Sequence, residues 1–155
     1  PNIIGSSPNG KLGEKNFFIT RIAPSFYKNI KKNKNNILFY DFSKKSFPKR
    51  NYMHVEDIAD INVKIIQNLK RFKKNYNVFN INNQKQYSNI DVLKTIAKIM
   101  KKKPEYSLKQ IDKKESMSQF YKSKENLTKY INFKIKYKDL EKILKTNTKW
   151  FKKIY

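Results

Sequence analysis

The sequence predicts a mixed α/β fold, because short runs of β-branched and aromatic residues alternate with helical patterns along the 155 residues. Three observations carry this prediction. Residues 36–40 read as a strand, residues 58–69 hold an isoleucine stripe at helical spacing, and residues 88–91 form a helix-capping motif. We therefore expect helices packed on short strands around one hydrophobic core.

Length and composition narrow the possible classes of protein. With 38% hydrophobic residues and a mean hydropathy of −0.85, the chain can form one domain with a lean core. It begins with Pro1 rather than Met, so we expect a fragment whose upstream part is missing. It has no apolar run of about eighteen residues and no signal-peptide pattern, which predicts a cytoplasmic protein without a membrane partner. Zero cysteines and one histidine exclude disulfides and argue against a metal site or a Ser-His triad in this segment.

The net charge of +24, taken alone, suggests a protein that binds nucleic acid or an anionic membrane. However, only Arg21, Arg50 and Arg71 among the 36 basic residues are arginine, and phosphate or base recognition usually relies on the bidentate guanidinium group. The lysines are spread along the whole chain. An excess of Lys, Asn, Ile, Phe and Tyr is what an AT-rich coding sequence would give, so we favour compositional drift over a functional basic surface and expect no specific nucleic-acid partner.

The first forty residues predict a tight loop, a helix and a strand. All three glycines, Gly5, Gly10 and Gly13, lie within nine residues around a Pro-Asn-Gly turn signal. This clustering can be an ordinary surface loop, but in a glycine-poor chain it favours a backbone that needs positive φ or close approach to another group. Apolar spacing then predicts a helix over about 22–32, followed by the strand at 36–40.

The central stretch, residues 50–60, combines a candidate anion ligand with a helix start. It runs extended from Arg50, and Glu56 and Asp57 then place two acids in a first helical turn, where the helix dipole favours negative charge. We expect Asp57 to be only such a helix acid, and His54 to be a packing or capping residue rather than a catalyst. The buried stripe of this helix is predicted to be Ile58, Ile61, Ile65 and Leu69.

The region after this helix predicts two further strands and a capped helix. Residues 76–81 read as a second strand, and residues 106–108 as a short third one. Ser88 and Asp91 form a capping box that opens a helix, and the helix should stop before Pro104.

The last part of the chain predicts a loop and two helices. Residues 109–122 lack periodicity and read as a long polar loop, which is a common place for binding residues. Ser123 is expected to cap a short helix ending at Asn132. Residues 140–154 predict a terminal amphipathic helix.

The order of these motifs resembles the C-terminal half of the UDP-glucose 4-epimerase family, a branch of the extended short-chain dehydrogenase/reductases. Residues 1–14 are similar to the family's Phe-Asn-x-x-Gly-Ala-x-Pro-x-Gly-x-x-Gly-Glu, a loop more typical of the 4-epimerases than of related dehydratases and decarboxylases. Residues 50–57 resemble Arg-Asp-Tyr-Ile-His-Val-x-Asp. Residues 79–81 resemble the family's Tyr-Asn-Leu-Gly strand end, and residues 149–150 its closing Trp-x-Trp helix.

The resemblance implies a site for a UDP-sugar. By position, the asparagine that contacts the sugar-diphosphate falls on Asn2, and the arginine that binds the diphosphate falls on Arg50. The segment that lies along the uracil and supplies backbone hydrogen bonds falls on Leu38, Phe39 and Tyr40.

Three further positions follow from the same resemblance. A second family arginine, in Arg-Pro-Gly-Asp, aligns with Lys113 or Lys114, and the nearby aromatic aligns with Phe120 or Tyr121. The polar position ahead of the family's Leu-x-Pro falls on Arg21, which Ile22 follows. This sequence departs from the family at residues 113–116, where Lys-Lys-Glu-Ser replaces the Arg-Pro-Gly-Asp motif.

The resemblance also implies an activity that this segment could not perform alone. In the family, a tyrosine of a Tyr-x-x-x-Lys pair and NAD interconvert UDP-glucose and UDP-galactose in galactose metabolism. Both the Tyr-Lys pair and the dinucleotide loop belong to the N-terminal half. We therefore expect no catalytic, cofactor-binding or metal-binding residue here, with NAD bound and a homodimer formed by the missing part.

The expected division of the chain follows from this alignment. Residues 1–54 and 82–155 would be mainly substrate lobe, and residues 55–81 would be a helix and strand joining the NAD-binding Rossmann sheet. The alternatives are another nucleotide-sugar epimerase or dehydratase of the same family, a degenerate relative that binds without turnover, and a basic polyanion-binding module.

Overall fold

The computed structural model describes residues 2–4, 18–72, 76–81, 85–111 and 126–155, and it has the α/β fold that the sequence predicts. Five strands and four α-helices occur in these ranges. In chain order they are β1 (Asn2–Ile4), α1 (Phe18–Lys31), β2 (Asn36–Tyr40), β3 (Lys49–His54), α2 (Val55–Gln67), β4 (Gln86–Ser88), α3 (Asn89–Met100), β5 (Tyr106–Gln110) and α4 (Leu140–Ile154). Short 3₁₀ helices span Leu69–Arg71 and Leu127–Lys129.

The described strands form two small sheets. In the first sheet β3 lies between β1, which is parallel to it, and β4, which is antiparallel. In this register Asn2 lies opposite Tyr52, and Arg50 lies opposite Tyr87. The second sheet is the parallel pair of β2 and β5. Both sheets therefore contain positions to which the sequence assigns ligand contacts.

Helices α1, α3 and α4 cover these strands and enclose the main core. Residues of α1 and α3 face each other, and α4 packs along α3. The buried residues of this core are Ile4, Ala23, Phe26, Tyr27, Ile30, Leu38, Tyr52, Val92, Leu93, Ile96, Ala97, Leu140, Ile143, Leu144 and Phe151. The predicted amphipathic face of the terminal helix is thus confirmed.

A smaller second cluster forms beneath α2. Its buried members are Met53, Ile61, Leu127 and Ile131. The predicted isoleucine stripe contributes to it only in part: Ile61 is buried, Ile58 and Ile65 are half-buried, and Leu69 is 59% exposed. The prediction for Leu69 was wrong because α2 ends at Gln67 and the chain then tightens into a 3₁₀ helix, which moves Leu69 off the helical stripe.

The starts of α2 and α3 agree with the sequence prediction, whereas the start of α1 does not. At α3, Ser88 Oγ accepts from the Asp91 N–H and the Asp91 carboxylate accepts from the Ser88 N–H, which is the predicted capping box. Helix α2 begins at Val55 as expected. Helix α1 begins at Phe18, four residues earlier than the apolar spacing indicated.

Three predictions of secondary structure were wrong in whole or in part. Residues 76–81 are irregular, because no strand in the described ranges pairs with them, and strand-forming residues need a ladder partner. Strand β5 extends to Gln110, two residues beyond the predicted end, because it pairs with the whole of β2. In place of the predicted short helix, the described residues 126–132 hold only the 3₁₀ helix Leu127–Lys129, which Asn126 caps. The glycine cluster and Ser123 lie outside the described residues.

No helix in the described ranges is long and apolar enough to cross a membrane.

Candidate functional site

The outer edge of β2 is the first component of the candidate site. The Asn36 N–H donates to the Glu105 carbonyl, and the Ile111 N–H donates to the Tyr40 carbonyl. In a parallel pair the N–H and C=O of one residue point to the same neighbouring strand, and those of the next residue point the opposite way. The N–H and C=O groups of residues 36, 38 and 40 therefore face β5. Ile37 and Phe39 therefore direct their peptide groups to the opposite edge. Among the described strands, none pairs with that edge.

Asn89 occupies one group on this edge. Its side-chain amide donates to the Phe39 carbonyl oxygen at 2.8 Å. Asn89 is the first residue of α3 and is only 2% exposed, directly after the capping residue Ser88. The capping box fixes the start of α3, and the Asn89 amide then attaches that start to β2.

Arg50 lies in β3 and is linked to this edge through β4. Its backbone pairs with Tyr87, and Asn89 follows Tyr87 by two residues. The Arg50 side chain is half-buried, and its Nη1 donates to the Lys49 carbonyl at 2.9 Å. A short series of contacts, from Arg50 to Tyr87 and from Asn89 to Phe39, therefore connects two positions that the resemblance assigns to one ligand.

The other predicted site residues are distributed around these two elements. Asn2 lies in β1 opposite Tyr52 of the neighbouring strand β3. Tyr52 follows Arg50 by two residues. Arg21 lies in the first turn of α1, and α1 contacts both β1 and β2. Ile22 packs half-buried against the main core.

The flanking residues of β2 differ in their surroundings. Leu38 is a fully buried core residue. Tyr40 is half-buried, and its ring makes T-shaped contacts with the rings of Phe42 and Phe47. Lys113 and Phe120, with their alternatives Lys114 and Tyr121, lie outside the described residues.

His54 is the packing and capping residue that the sequence predicted. It is buried at the end of β3, and its Nδ1 accepts from the Glu56 N–H at 3.2 Å. Its Nε2 lies 2.9 Å from Thr146 Oγ1, and its ring stacks on Tyr137 with 3.7 Å between centroids. Because Nδ1 accepts, the neutral ring carries its proton on Nε2. Burial lowers the pKa of His54, although the charges of Glu56 and Asp57 oppose that shift.

Asp57 has a larger role than the helix acid that the sequence predicted. Asp57 is 1% exposed, and its carboxylate accepts from the backbone N–H groups of Lys136, at 2.8 Å, and Tyr137, at 3.1 Å. Around it, Asp60 pairs with the Lys136 ammonium at 2.7 Å, and the Tyr137 hydroxyl donates to Glu56 at 2.8 Å. Asp57 therefore attaches the segment before α4 to the start of α2. No local pattern could have identified this role, because its partners lie 79 and 80 residues away.

These elements offer chemical groups that can bind a ligand. An open strand edge offers peptide N–H and C=O groups to a planar heterocycle, and a guanidinium matches phosphate oxygens with paired donors. Within the described ranges no group of three or more His, Asp or Glu side chains could hold a metal ion. The arrangement suits a ligand that combines a hydrogen-bonding heterocycle with an anionic group.

Comparison with known proteins identifies a family. Residues 2–81, which are 80 of the 155 residues, match the family model described as the NAD dependent epimerase/dehydratase family. No curated protein matches the chain in sequence.

Solved structures share the fold at low sequence identity. A UDP-glucose 4-epimerase structure superimposes with a TM-score of 0.74 and 17% identity, covering 98% of this chain and 46% of that chain. The UDP-glucose 4-epimerase from Bifidobacterium longum, in complex with NAD+ and UDP, gives a TM-score of 0.72 and 21% identity over 98% of this chain and 45% of that one. A dTDP-glucose 4,6-dehydratase from Bacillus anthracis gives a TM-score of 0.66 and 16% identity, covering 97% of this chain and 43% of that chain. This chain spans less than half the length of these structures.

Proposed function

Because the chain belongs to the NAD-dependent epimerase/dehydratase family, we propose that it is the C-terminal, UDP-sugar-binding portion of an NAD-dependent UDP-glucose 4-epimerase. The observation that carries this proposal is the link between Arg50 and the outer edge of β2 through β4 and Asn89. A uridine diphosphate needs a hydrogen-bonding edge for its base and a cation for its phosphates, and this chain has both on elements that β4 and Asn89 connect.

In the proposal each site residue has a binding task rather than a catalytic one. The peptide edge at Phe39, flanked by Leu38 and Tyr40, receives the uracil, and the Arg50 guanidinium binds the diphosphate. Asn2 contacts the sugar-diphosphate from the strand beside Arg50, a position that the β1–β3 register supports. Arg21, Ile22, Lys113 and Phe120 complete the ligand shell.

The hydride chemistry belongs to NAD, which the N-terminal half of such an enzyme binds. What this chain supplies is binding energy at the uridine diphosphate, remote from the reacting carbon of the sugar. Fixing the nucleotide restricts where the sugar can lie and makes the reaction geometry reachable.

The division of the chain into two parts belongs to the same proposal. Residues 55–81 would join the Rossmann sheet, and residues 1–54 and 82–155 would form the substrate lobe. Helix α2 supports this division because Val55, Val63 and Ile66 are 39%, 51% and 66% exposed, although all three are aliphatic. An apolar helix face of that kind suits contact with the rest of the family fold. A homodimer, a cytoplasmic location and a part in galactose metabolism complete the proposal.

A second candidate is another member of the same family. The shared fold includes a dTDP-glucose 4,6-dehydratase, so the sugar and the reaction can differ while the nucleotide-binding edge and Arg50 keep their tasks. The activity of the intact protein on UDP-glucose and on dTDP-glucose distinguishes the two candidates.

The alternative of a basic polyanion-binding module has less support than the UDP-sugar proposal, because two of the described lysines have structural partners. The Lys102 ammonium, beyond the end of α3, donates to the Lys31 carbonyl at the end of α1. The Lys31 ammonium donates in turn to the Tyr155 carbonyl at the end of α4. Cations placed at helix C-termini stabilise the exposed carbonyls there, so these lysines already have a structural task.

The test of the proposed function is calorimetric titration of the intact protein with UDP-glucose at moderate salt, followed by a coupled assay for UDP-galactose. We expect saturable binding of UDP-glucose, and competition by UDP alone. Retention on a polynucleotide at high salt, without any affinity for UDP, would instead favour the basic module.

A further inference from the structure

We propose that the outer edge of β5, on the side away from β2, is a docking site for an extended acidic segment of a partner protein. The segment adds to the β2–β5 sheet as a further strand, and its side chains alternate between apolar and acidic. This inference goes beyond the proposed function, because it concerns the sheet edge opposite the one assigned to the nucleotide.

Alternate peptide groups of β5 face away from β2. The Glu105 carbonyl and the Ile111 N–H both hydrogen-bond to β2, so the odd-numbered residues of this segment direct their peptide groups to that strand. The peptide groups of Tyr106, Leu108 and Gln110 therefore point to the outer edge. In the described ranges β2 is the only strand that pairs with β5, so this edge presents N–H and C=O groups to a further strand.

Tyr106 and Leu108 carry apolar surface that an added strand would cover. In the register of the sheet they lie beside Asn36 and Leu38, whose side chains are fully buried on the core-facing side. Tyr106 and Leu108 share that side, yet they are 44% and 42% exposed. Apolar side chains on one side of the partner strand would pack next to them and extend the apolar layer.

The other side of the same edge is basic. Lys109 follows Leu108 and lies on the opposite side of the strand, and Lys103 shortly precedes β5. Both lysines are exposed, and among the described residues neither ammonium has a carboxylate partner. Acidic side chains on the solvent side of the partner strand would lie beside Lys109, and opposite charges attract across neighbouring strands.

The same charge opposes pairing with a second copy of this chain. Pairing β5 with β5 of another copy would place two Lys109 side chains on one small sheet, and two chains of net charge +24 repel each other. Lysines on edge strands prevent such self-pairing in natural sheets. An acidic strand meets attraction instead, so Lys109 both excludes a copy and selects the partner.

The test uses a short peptide of alternating Glu and Val, carrying a fluorescent label, as the probe for the intact protein. Fluorescence anisotropy should show saturable binding of this peptide and no binding of the same peptide with Lys in place of Glu. A third peptide keeps the Glu residues but has a central Pro, which removes a backbone donor and disfavours strand pairing. Equal affinity for the Pro peptide would show general attraction to a basic protein and would overturn the inference.

A pair of proline variants locates the edge that binds the peptide. The Leu108 N–H does not bond to β2, so Leu108→Pro removes an outward donor and keeps the β2–β5 ladder. We expect this variant to bind the Glu-Val peptide at least about tenfold more weakly. The matched control is Ile37→Pro, which removes the outward N–H on the other edge of the same sheet and should leave the affinity unchanged.

A pair of charge variants separates the local contact from the net charge. Lys109→Glu replaces attraction by repulsion beside the partner strand, so we expect about tenfold weaker binding of the Glu-Val peptide. Lys94→Glu makes the same charge change at an exposed position of α3 and should have a much smaller effect. Equal weakening by both variants would contradict a contact at Lys109.

Hydrogen exchange in the wild-type protein gives a readout that does not depend on the folding of a variant. Binding of the Glu-Val peptide should slow exchange of the Tyr106, Leu108 and Gln110 amides, measured by NMR. Unchanged exchange at these amides with the peptide bound would overturn the inference. So would weaker binding in Ile37→Pro but not in Leu108→Pro, or a dimer that forms through β5 in the absence of peptide.

Discussion

Asp57 and Lys136 are joined by a hydrogen bond of 2.8 Å from the Lys136 backbone N–H to the buried carboxylate, although 79 residues separate them in the chain. With the second bond from Tyr137, this contact holds the segment before α4 against the helix that follows β3. Strand β3, which leads directly into α2, also carries Arg50. The contact therefore ties the part of the chain that carries Arg50 to the segment before α4.

The Asp57→Ala variant tests this relationship. Removing the carboxylate leaves two backbone N–H groups without their charged acceptor, so we expect the free energy of unfolding to fall by about 2–4 kcal/mol. Urea unfolding followed by circular dichroism measures it. The Asp60→Ala variant is the control, because the Asp60–Lys136 pair is exposed to solvent and such pairs contribute little to stability. Equal losses in the two variants would contradict the assigned role of Asp57.

His54 should make the protein sensitive to acidification. Burial lowers its pKa, so the folded state favours the neutral ring and the unfolded state binds the proton more tightly. The contribution of neutral His54 to the free energy of unfolding is fully present above about pH 6.5, the pKa of histidine in the unfolded chain. This contribution is lost as the pH falls below that value.

This pH dependence can be isolated because His54 is the only histidine of the chain. We expect the free energy of unfolding to decrease between pH 7.5 and pH 5.5, and the decrease to be smaller in His54→Asn. Denaturant titrations at several pH values measure both slopes. A slope that is the same in the variant would show that another group is responsible.

The capping box predicts a modest and local effect at α3. In Ser88→Ala the Asp91 N–H loses its acceptor, which should reduce stability by about 1 kcal/mol. Ser25→Ala, at an exposed position in α1, should change it by less than about 0.5 kcal/mol. Thermal melts of both variants give the comparison, and an unaltered melting temperature in Ser88→Ala would contradict the capping assignment.

Features that depend on nearby residues could be predicted from the sequence. The strand at residues 36–40 and the start of α2 at Val55 follow from patterns a few residues long, and the observed bounds agree. The capping box at Ser88 involves two residues three positions apart. Such signals are local in the chain and do not depend on tertiary partners.

Features that depend on distant residues could not be predicted in this way. Asn89 looked like an ordinary helix residue, since nothing near it indicates a carbonyl 50 positions away. Residues 76–81 have strand-forming side chains but no partner strand in the described ranges, and propensity cannot supply one. For Arg50, the family resemblance indicated a ligand, whereas its position beside β4 required the register of β3.

The most direct test of the proposed site is titration of the intact protein with UDP, comparing Arg50→Ala with Arg71→Ala. Both variants lose one guanidinium, but Arg71 is exposed and donates to the carbonyl of Tyr130, which packs against the second cluster, whereas β2 packs in the main core. We expect Arg50→Ala to weaken UDP binding by about 1.5–3 kcal/mol, the scale of a charged hydrogen-bonded contact, and Arg71→Ala to leave it unchanged. Equal UDP affinity in wild type and in folded Arg50→Ala would contradict the account.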